Sequence, residues 1–278
     1  MLSLLKEPFI LNAFIAGTLI AAVSAVVGYF VVLRSEAFAA HALSHVGFAG
    51  ATLAALIGIS SLAGASGFTV AAGLAMGALG KRIRGRDVEI GITLSFALGL
   101  GVLFLRLYTS FASETASVLF GSILSVTREN IIWTVILGLT SLVLLGAIFR
   151  PLLFVSVDPE SAQARGLPVK FLSILFMVLL AVTVAEAIQV VGVLLIFALI
   201  VAPPAIAQHI TRRPLSAIVL SVALGIVFVW CGLLLALATR FPVSFYISVL
   251  AVASYFAVIG SSHIIRPHAI ERGHPHCK

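Results

Sequence analysis

Residues 38–50 read FAAHALSHVGFAG, inside a stretch with no Asp, Glu, Lys or Arg between Glu36 and Lys81. About 20 apolar residues carry an α-helix across the hydrocarbon core of a bilayer. The uncharged stretch is long enough for two such crossings. In the first of them His41 and His45 stand four residues apart. On a helix, positions i and i+4 project from one face, so both imidazoles point at one place. Two neutral imidazoles make half a ligand set for a divalent transition metal. The spacing is that of the zinc-hydrolase pattern H-E-x-x-H, but Ala42 stands where that motif needs its glutamate base. The pair suits holding a metal without hydrolysis. The alternative is two histidines packed in a bundle. Against it, ionisable groups inside a membrane span are costly and commonly mark a pathway.

Composition agrees with a membrane protein. The 278 residues are 61% hydrophobic and 10% charged, with a mean hydropathy of +1.21. A soluble domain carries about 25% charged residues. The reading is all-α: a polytopic bundle of transmembrane helices without a second soluble domain. The formal charge of +7 reflects Lys and Arg gathered in cytoplasmic loops, not a nucleic-acid surface. Cys231 lies in an apolar span and Cys277 near the end, so a disulfide framework is not expected. The run 9–33 is too long for a signal-peptide core, and Glu7 sits where positive charge belongs. It reads as a first span.

Nine spans are expected, over 9–33, 37–57, 68–80, 90–105, 131–149, 171–185, 190–202, 215–239 and 243–265. Residues 58–67, rich in Ser and Gly, read as a turn in which the third span begins. Residues 107–128 suit either an outer loop or a short re-entrant segment. Glu186 and Gln189 fall at a hairpin between the sixth and seventh spans. The basic loop 81–87, the polar stretch 150–170 and Arg212 with Arg213 all fall on one side. Only Lys6, Arg106, Arg128 and Arg240 fall on the other. The excess marks the cytoplasmic side and places the N-terminus outside and the C-terminus inside. Residues 1–262 are expected to form the transmembrane domain and 263–278 a His-containing cytoplasmic tail.

The chain has no nucleotide-binding loop: Gly80-Lys81 is followed by Arg82, and Ala75 replaces the first glycine of that motif. It shows no nucleophile elbow and no paired aspartates. Any ATP must be hydrolysed by a separate chain. Two further stretches carry information. In 156–168, SVDPESAQARGLP, Asp158 is placed to cap a short helix with Pro159 in its first turn. Gly166 ends that helix and Pro168 stops its continuation. A capped helix between two spans is a docking element for a soluble partner, or an ordinary connector. In 189–214, Pro203 and Pro204 are expected to break the helix, where a kinked end and a basic turn could again meet a partner.

LRSEAFAAHALSHVGFAG, SVLFGSILSVT, DPESAQARG and VVGVLLIFALIVAPPAIA follow one another in this chain. In that order they resemble the permease subunit of bacterial ATP-driven importers of zinc, manganese or ferrous iron, the group that includes the zinc-uptake permease. The resemblance runs from Leu33 to the ninth span. It implies a homodimeric permease in the bacterial inner membrane, two cytoplasmic ATPase subunits, and an extracytoplasmic metal-binding protein that delivers the ion. It implies no covalently bound cofactor and no nucleic acid. The family's motif pairs an Asp with a His four residues on, along the metal pathway. His45 matches the His, and His41 replaces the Asp. Two imidazoles favour zinc, whereas a carboxylate suits manganese; zinc is the expected cargo, with manganese or ferrous iron as alternatives. Glu186 is a candidate third ligand or an outer-edge residue facing water. Asp158, Pro159, Glu160, Ala162 and Gly166 match the family's cytoplasmic pattern, and Gly192 and Pro203 match the next motif. Asp158, Pro159, Glu160, Ala162, Gly166, Pro203 and Pro204 are the expected ATPase-docking set.

The end of the chain, with His263, His268, His274, His276 and Cys277, is a weak zinc binder or a hydrophilic tail. Competing readings are a permease for a metal chelate or vitamin, a secondary transporter and a membrane enzyme.

Overall fold

The computed structural model describes residues 7–79, 86–107, 121, 123, 126–239 and 241–265. Among them the chain is helical, with no strand. Its elements are α1 (Pro8–Leu33), α2 (Ala37–Leu56), α3 (Ser61–Leu79), α4 (Arg86–Leu107) and α5 (Arg128–Ala147). There follow the short α6 (Phe149–Val157) and α7 (Pro159–Ala164), then α8 (Val169–Val191), α9 (Val193–Ile210), α10 (Pro214–Ala238) and α11 (Val243–Ile265). Nine of the described helices are long and apolar enough to cross a membrane, the number expected.

Burial sorts them into an inside and an outside. α1, α2, α8 and α9 carry most of the core, with Phe30 of α1 and Phe176 of α8 fully buried. Phe30 packs edge-on against Phe149 and at a tilt against Phe176. α4, α5 and α11 expose large apolar side chains such as Phe96, Ile132 and Phe256. Outward apolar surface of that extent fits contact with lipid.

The turn expected within 58–67 is confined to the start of that stretch: the chain reverses just after α2, Gly58 has φ 76°, and α3 begins inside the stretch, at Ser61, as expected. Gly64 serves packing: a Cβ on it would run into the Gly50 carbonyl and the Ala54 side chain of α2. Small residues let helix backbones approach where no water drives the association. The sixth span does not end before Glu186. α8 continues through Glu186 and Gln189 to Val191, and the reversal falls at Gly192, whose φ is 82°. Pro203 and Pro204 do not break their helix either. Both are buried inside α9, which runs on to Ile210. A proline pair within a membrane helix is tolerated where neighbouring helices cover the carbonyls it frees.

Within 107–128, Leu107, Thr127 and Arg128 are exposed, while Gly121, Ile123 and Val126 lie against the bundle. Ile123 and Val126 are buried, and a Cβ on Gly121 would overlap the backbone at Val191 and Gly192. Ile123 also reaches Gly17 of α1, nine residues from the start of that helix and so about 14 Å along it. The course of residues 108–120 lies outside the described residues. Residues 266–278, most of the expected tail, lie outside the described residues.

Candidate metal site and docking helix

α2 presents Phe38, His41 and His45 along one accessible strip, while the rest of its surface between Ala39 and Thr52 is buried. The histidines share that face, as their spacing requires. Their ring centroids are 4.8 Å apart with the planes at 84°. His41 also lies edge-on to Phe197 of α9, at 4.9 Å between centroids. The site is thus framed by α2 and by the first turns of α9. Both Nδ1 atoms are buried and have no hydrogen-bond partner among the described residues. A buried nitrogen left without a partner costs free energy unless something occupies it. The ring spacing suits one ion held by metal–nitrogen bonds of about 2.1 Å.

Glu186 is not an outer-edge residue facing water. Its side chain is 2% exposed, and neither carboxylate oxygen has a hydrogen-bond partner among the described residues. It fits beside Gly138 of α5, where a Cβ would stand 3.4 Å from Oε1 and 2.9 Å from Val23 Cγ2 of α1. It does not complete the histidine site: among the described residues no group of three His, Cys, Asp or Glu is placed to hold a metal. The polar residue that looked like a hairpin marker is a buried acid between α1, α5 and α8.

The second site is α7. Asp158 accepts a hydrogen bond from the Ser161 backbone N–H at 3.0 Å. Hydrogen bonds from Ser161, side chain first and then backbone, hold the Asp158 carboxyl below the usual aspartate range. At the other end the Gly166 N–H bonds the Gln163 carbonyl and the Leu167 N–H bonds the Ala162 carbonyl. Gly166 has φ 80°, the left-handed conformation this closure uses. Ala162 is fully buried and packs with Val155 and Leu172, which fastens α7 to the bundle. Arg165 folds back over the Phe154 ring at 5.2 Å. Glu160, Ser161, Gln163 and Arg165 face outward. Of the expected docking residues, Ala162 therefore anchors the helix while Glu160 lies on its open face. Ser161, Gln163 and Arg165 join that face; alternation around one helical turn, with Ala162 inward, was the available signal. Pro203 and Pro204 lie apart from it, with Pro204 against α1 at Gly28.

Comparison with known proteins fits this architecture. The model of the ABC 3 transport family matches residues 6–262. The chain belongs to the ABC 3 transport family. A manganese import system permease protein, ScaB of Streptococcus parasanguinis, is 34% identical over 90% of this chain and 89% of its own. The manganese transport system membrane protein MntC of Listeria monocytogenes is 31% identical over 83% of this chain and 82% of its own. The solved structure of PsaBC from Streptococcus pneumoniae in complex with Fab superposes with a TM-score of 0.82 and 30% identity. It covers 92% of this chain and 93% of that one. The expected resemblance to the permeases of ATP-driven metal importers holds. This ABC 3 permease is a multi-pass protein of the bacterial inner membrane, and a transport subunit rather than an enzyme. Zinc, the cargo expected from the two imidazoles, finds no support in these relatives, which carry manganese names.

Proposed function

We propose that this permease carries divalent manganese across the inner membrane, with His41 and His45 as its transit site. One observation carries the site: two accessible imidazoles on one face of α2, each with a buried, unpartnered Nδ1. The names of the relatives support the choice of metal. Two nitrogens with no third His, Cys, Asp or Glu beside them among the described residues leave most of a metal's coordination positions to water. Such a site binds loosely enough to release what it holds, as a transport path demands.

In this reading the α7 end faces the cytoplasm, the N-terminus lies outside and the C-terminus inside. The charge asymmetry of the loops supports that orientation. α7 meets an ATPase subunit through Glu160, Ser161, Gln163 and Arg165, and two copies of the permease assemble with two ATPases. A binding protein outside the membrane supplies the ion. ATP is bound and hydrolysed in the partner chain.

Zinc is the second reading, favoured by the imidazole pair itself, since imidazole suits zinc better than manganese. A metal chelate or vitamin fits less well, because the Phe197 ring lies against His41. The test is uptake by the reconstituted transporter with manganese, zinc and ferrous iron in competition. Manganese uptake that equal zinc does not abolish is expected. Zinc transport with no manganese transport would select the second reading, and transport of no divalent metal would overturn both.

A further inference from the structure

The reversal between α1 and α2 holds a buried ion pair. Arg34 and Glu36 are each 4% exposed, and Nε of Arg34 stands 3.3 Å from Oε1 of Glu36. Ser35 between them has φ 57°, the left-handed region. The Ser35 N–H bonds the Val32 carbonyl and the Glu36 N–H bonds the Val31 carbonyl. This closes α1 and starts α2 within three residues. The Arg34 guanidinium reaches away from that turn. It donates to Ser156 Oγ at 3.4 Å and to Ser173 Oγ at 3.0 Å. It also lies 5.2 Å from the centre of the Phe176 ring.

The placement of those hydroxyls gives the contact its meaning. Ser156 is two residues before Asp158, the cap of α7, and Ser173 lies in the first turns of α8 just beyond it. One guanidinium therefore holds both flanks of the short helix at once. On its other side it is fixed through Glu36 to the start of α2. His41 follows Glu36 by five residues, about 8 Å along the helix. A buried guanidinium with three partners cannot let one go cheaply, since each lost contact leaves a desolvated polar group.

We propose that Arg34 is a positioning residue for transport, linking the α7 segment to the histidine-bearing helix α2. Displacement of α7 is passed through Ser156 and Ser173 to Arg34 and Glu36, and so to the ring positions of His41 and His45. The proposal rests on the reading that α7 docks the ATPase and that the histidines meet the ion.

The experiment uses the complete transporter in proteoliposomes and measures manganese ions moved per ATP hydrolysed. The main variant replaces both members of the pair, Arg34→Met with Glu36→Gln, so that no lone charge is left buried. It is expected to assemble and hydrolyse ATP, while ions moved per ATP fall about tenfold, within the usual range of coupling between sites. Arg34→Lys should restore part of the ratio, because one ammonium cannot reach Glu36 and both hydroxyls together. Ser173→Ala, which leaves the ion pair in place, should lower the ratio by a smaller factor. A merely structural role would reduce folded protein and leave the ratio unchanged. An unchanged ratio in the double variant and in Ser173→Ala overturns the proposal. The underlying reading fails separately: it is refuted if Ser161→Cys in an otherwise unaltered permease forms no cross-link to the ATPase, or if His45→Ala transports normally.

Discussion

His41 offers a nitrogen where the family resemblance places a carboxylate. Replacing it with Asp exchanges a softer ligand for a harder one and adds a negative charge to the site. The charge attracts any dication, so affinity for both metals changes together. The ligand exchange acts on their ratio, because zinc stands above manganese in the order of affinity for nitrogen donors. His41→Asp should lower the ratio of zinc to manganese transport, measured with one unchanged delivery protein able to present both ions. A ratio that stays constant or rises would remove His41 as a selectivity ligand. Gly28 supports a second expectation. Pro204 has no N–H, so the Ile200 carbonyl four residues before it loses its usual helical donor. α1 lies against that carbonyl at Gly28, where an added Cβ would overlap the Ile200 oxygen and stand 3.0 Å from Pro204 Cγ. Gly28→Ala should destabilise the bundle by about 1–3 kcal/mol, read as a lower Tm in detergent. The histidine pair was legible in the sequence because i, i+4 spacing survives any packing of α2. Glu186 and Arg34 were not: a polar residue near the end of an apolar run reads as a boundary, and only tertiary contacts reveal that it is buried.

At the level of elements, α7 was the most legible part of the chain. Its start and stop are local chemistry: Asp158 and Pro159 at one end, Gly166 and Pro168 at the other. The boundaries of α8 and α9 were less so: Glu186 and Gln189 read as a hairpin although the chain turns only at Gly192, and Pro203 and Pro204 read as a break although they pack inside α9. Gly166→Ala should strain the left-handed closure by about 1–2 kcal/mol and speed hydrogen exchange at the last amides of α7. Exchange at the wild-type rate would remove the closure from its stability. The Asp158 cap has a definite pH dependence. The carboxyl titrates below its unfolded value, so its contribution is complete above the ordinary aspartate pKa of about 3.9 and is lost as pH falls through the lower folded value. Protection of the Ser161 amide should be flat from about pH 5 to about pH 8 and decline only in stronger acid. A decline beginning near neutrality would rule out Asp158 as its acceptor.

Taken whole, the bundle places its polar contacts unevenly. The α7 end holds the Arg34–Glu36 pair and the capped α7, whereas most of the remaining core is apolar. If that end faces the cytoplasm, Ser161→Cys in intact cells should resist a membrane-impermeant thiol reagent and react after the membrane is opened. Labelling of intact cells would invert the orientation and with it the ATPase-docking role. The number of spans was readable from apolar length alone. How they nest was not, because helix-to-helix order depends on which small residues meet, as Gly50 meets Gly64.

Glu186 bears finally on how the chain is made. Among the described residues its carboxyl has no hydrogen-bonding partner in the finished bundle, so the cost of carrying it into the membrane falls on α8. An ionised residue at a helix centre costs roughly 2.5–3.5 kcal/mol on insertion, an upper bound for Glu186 near the end of α8, and each Leu, Ile, Phe or Val returns about 0.3–0.6. Ahead of Glu186, α8 carries the run FLSILFMVLLAVTV, enough to offset that cost within the same helix. α8 can therefore partition into the bilayer on its own, without waiting in the translocon for α1 and α5 to shelter its carboxylate.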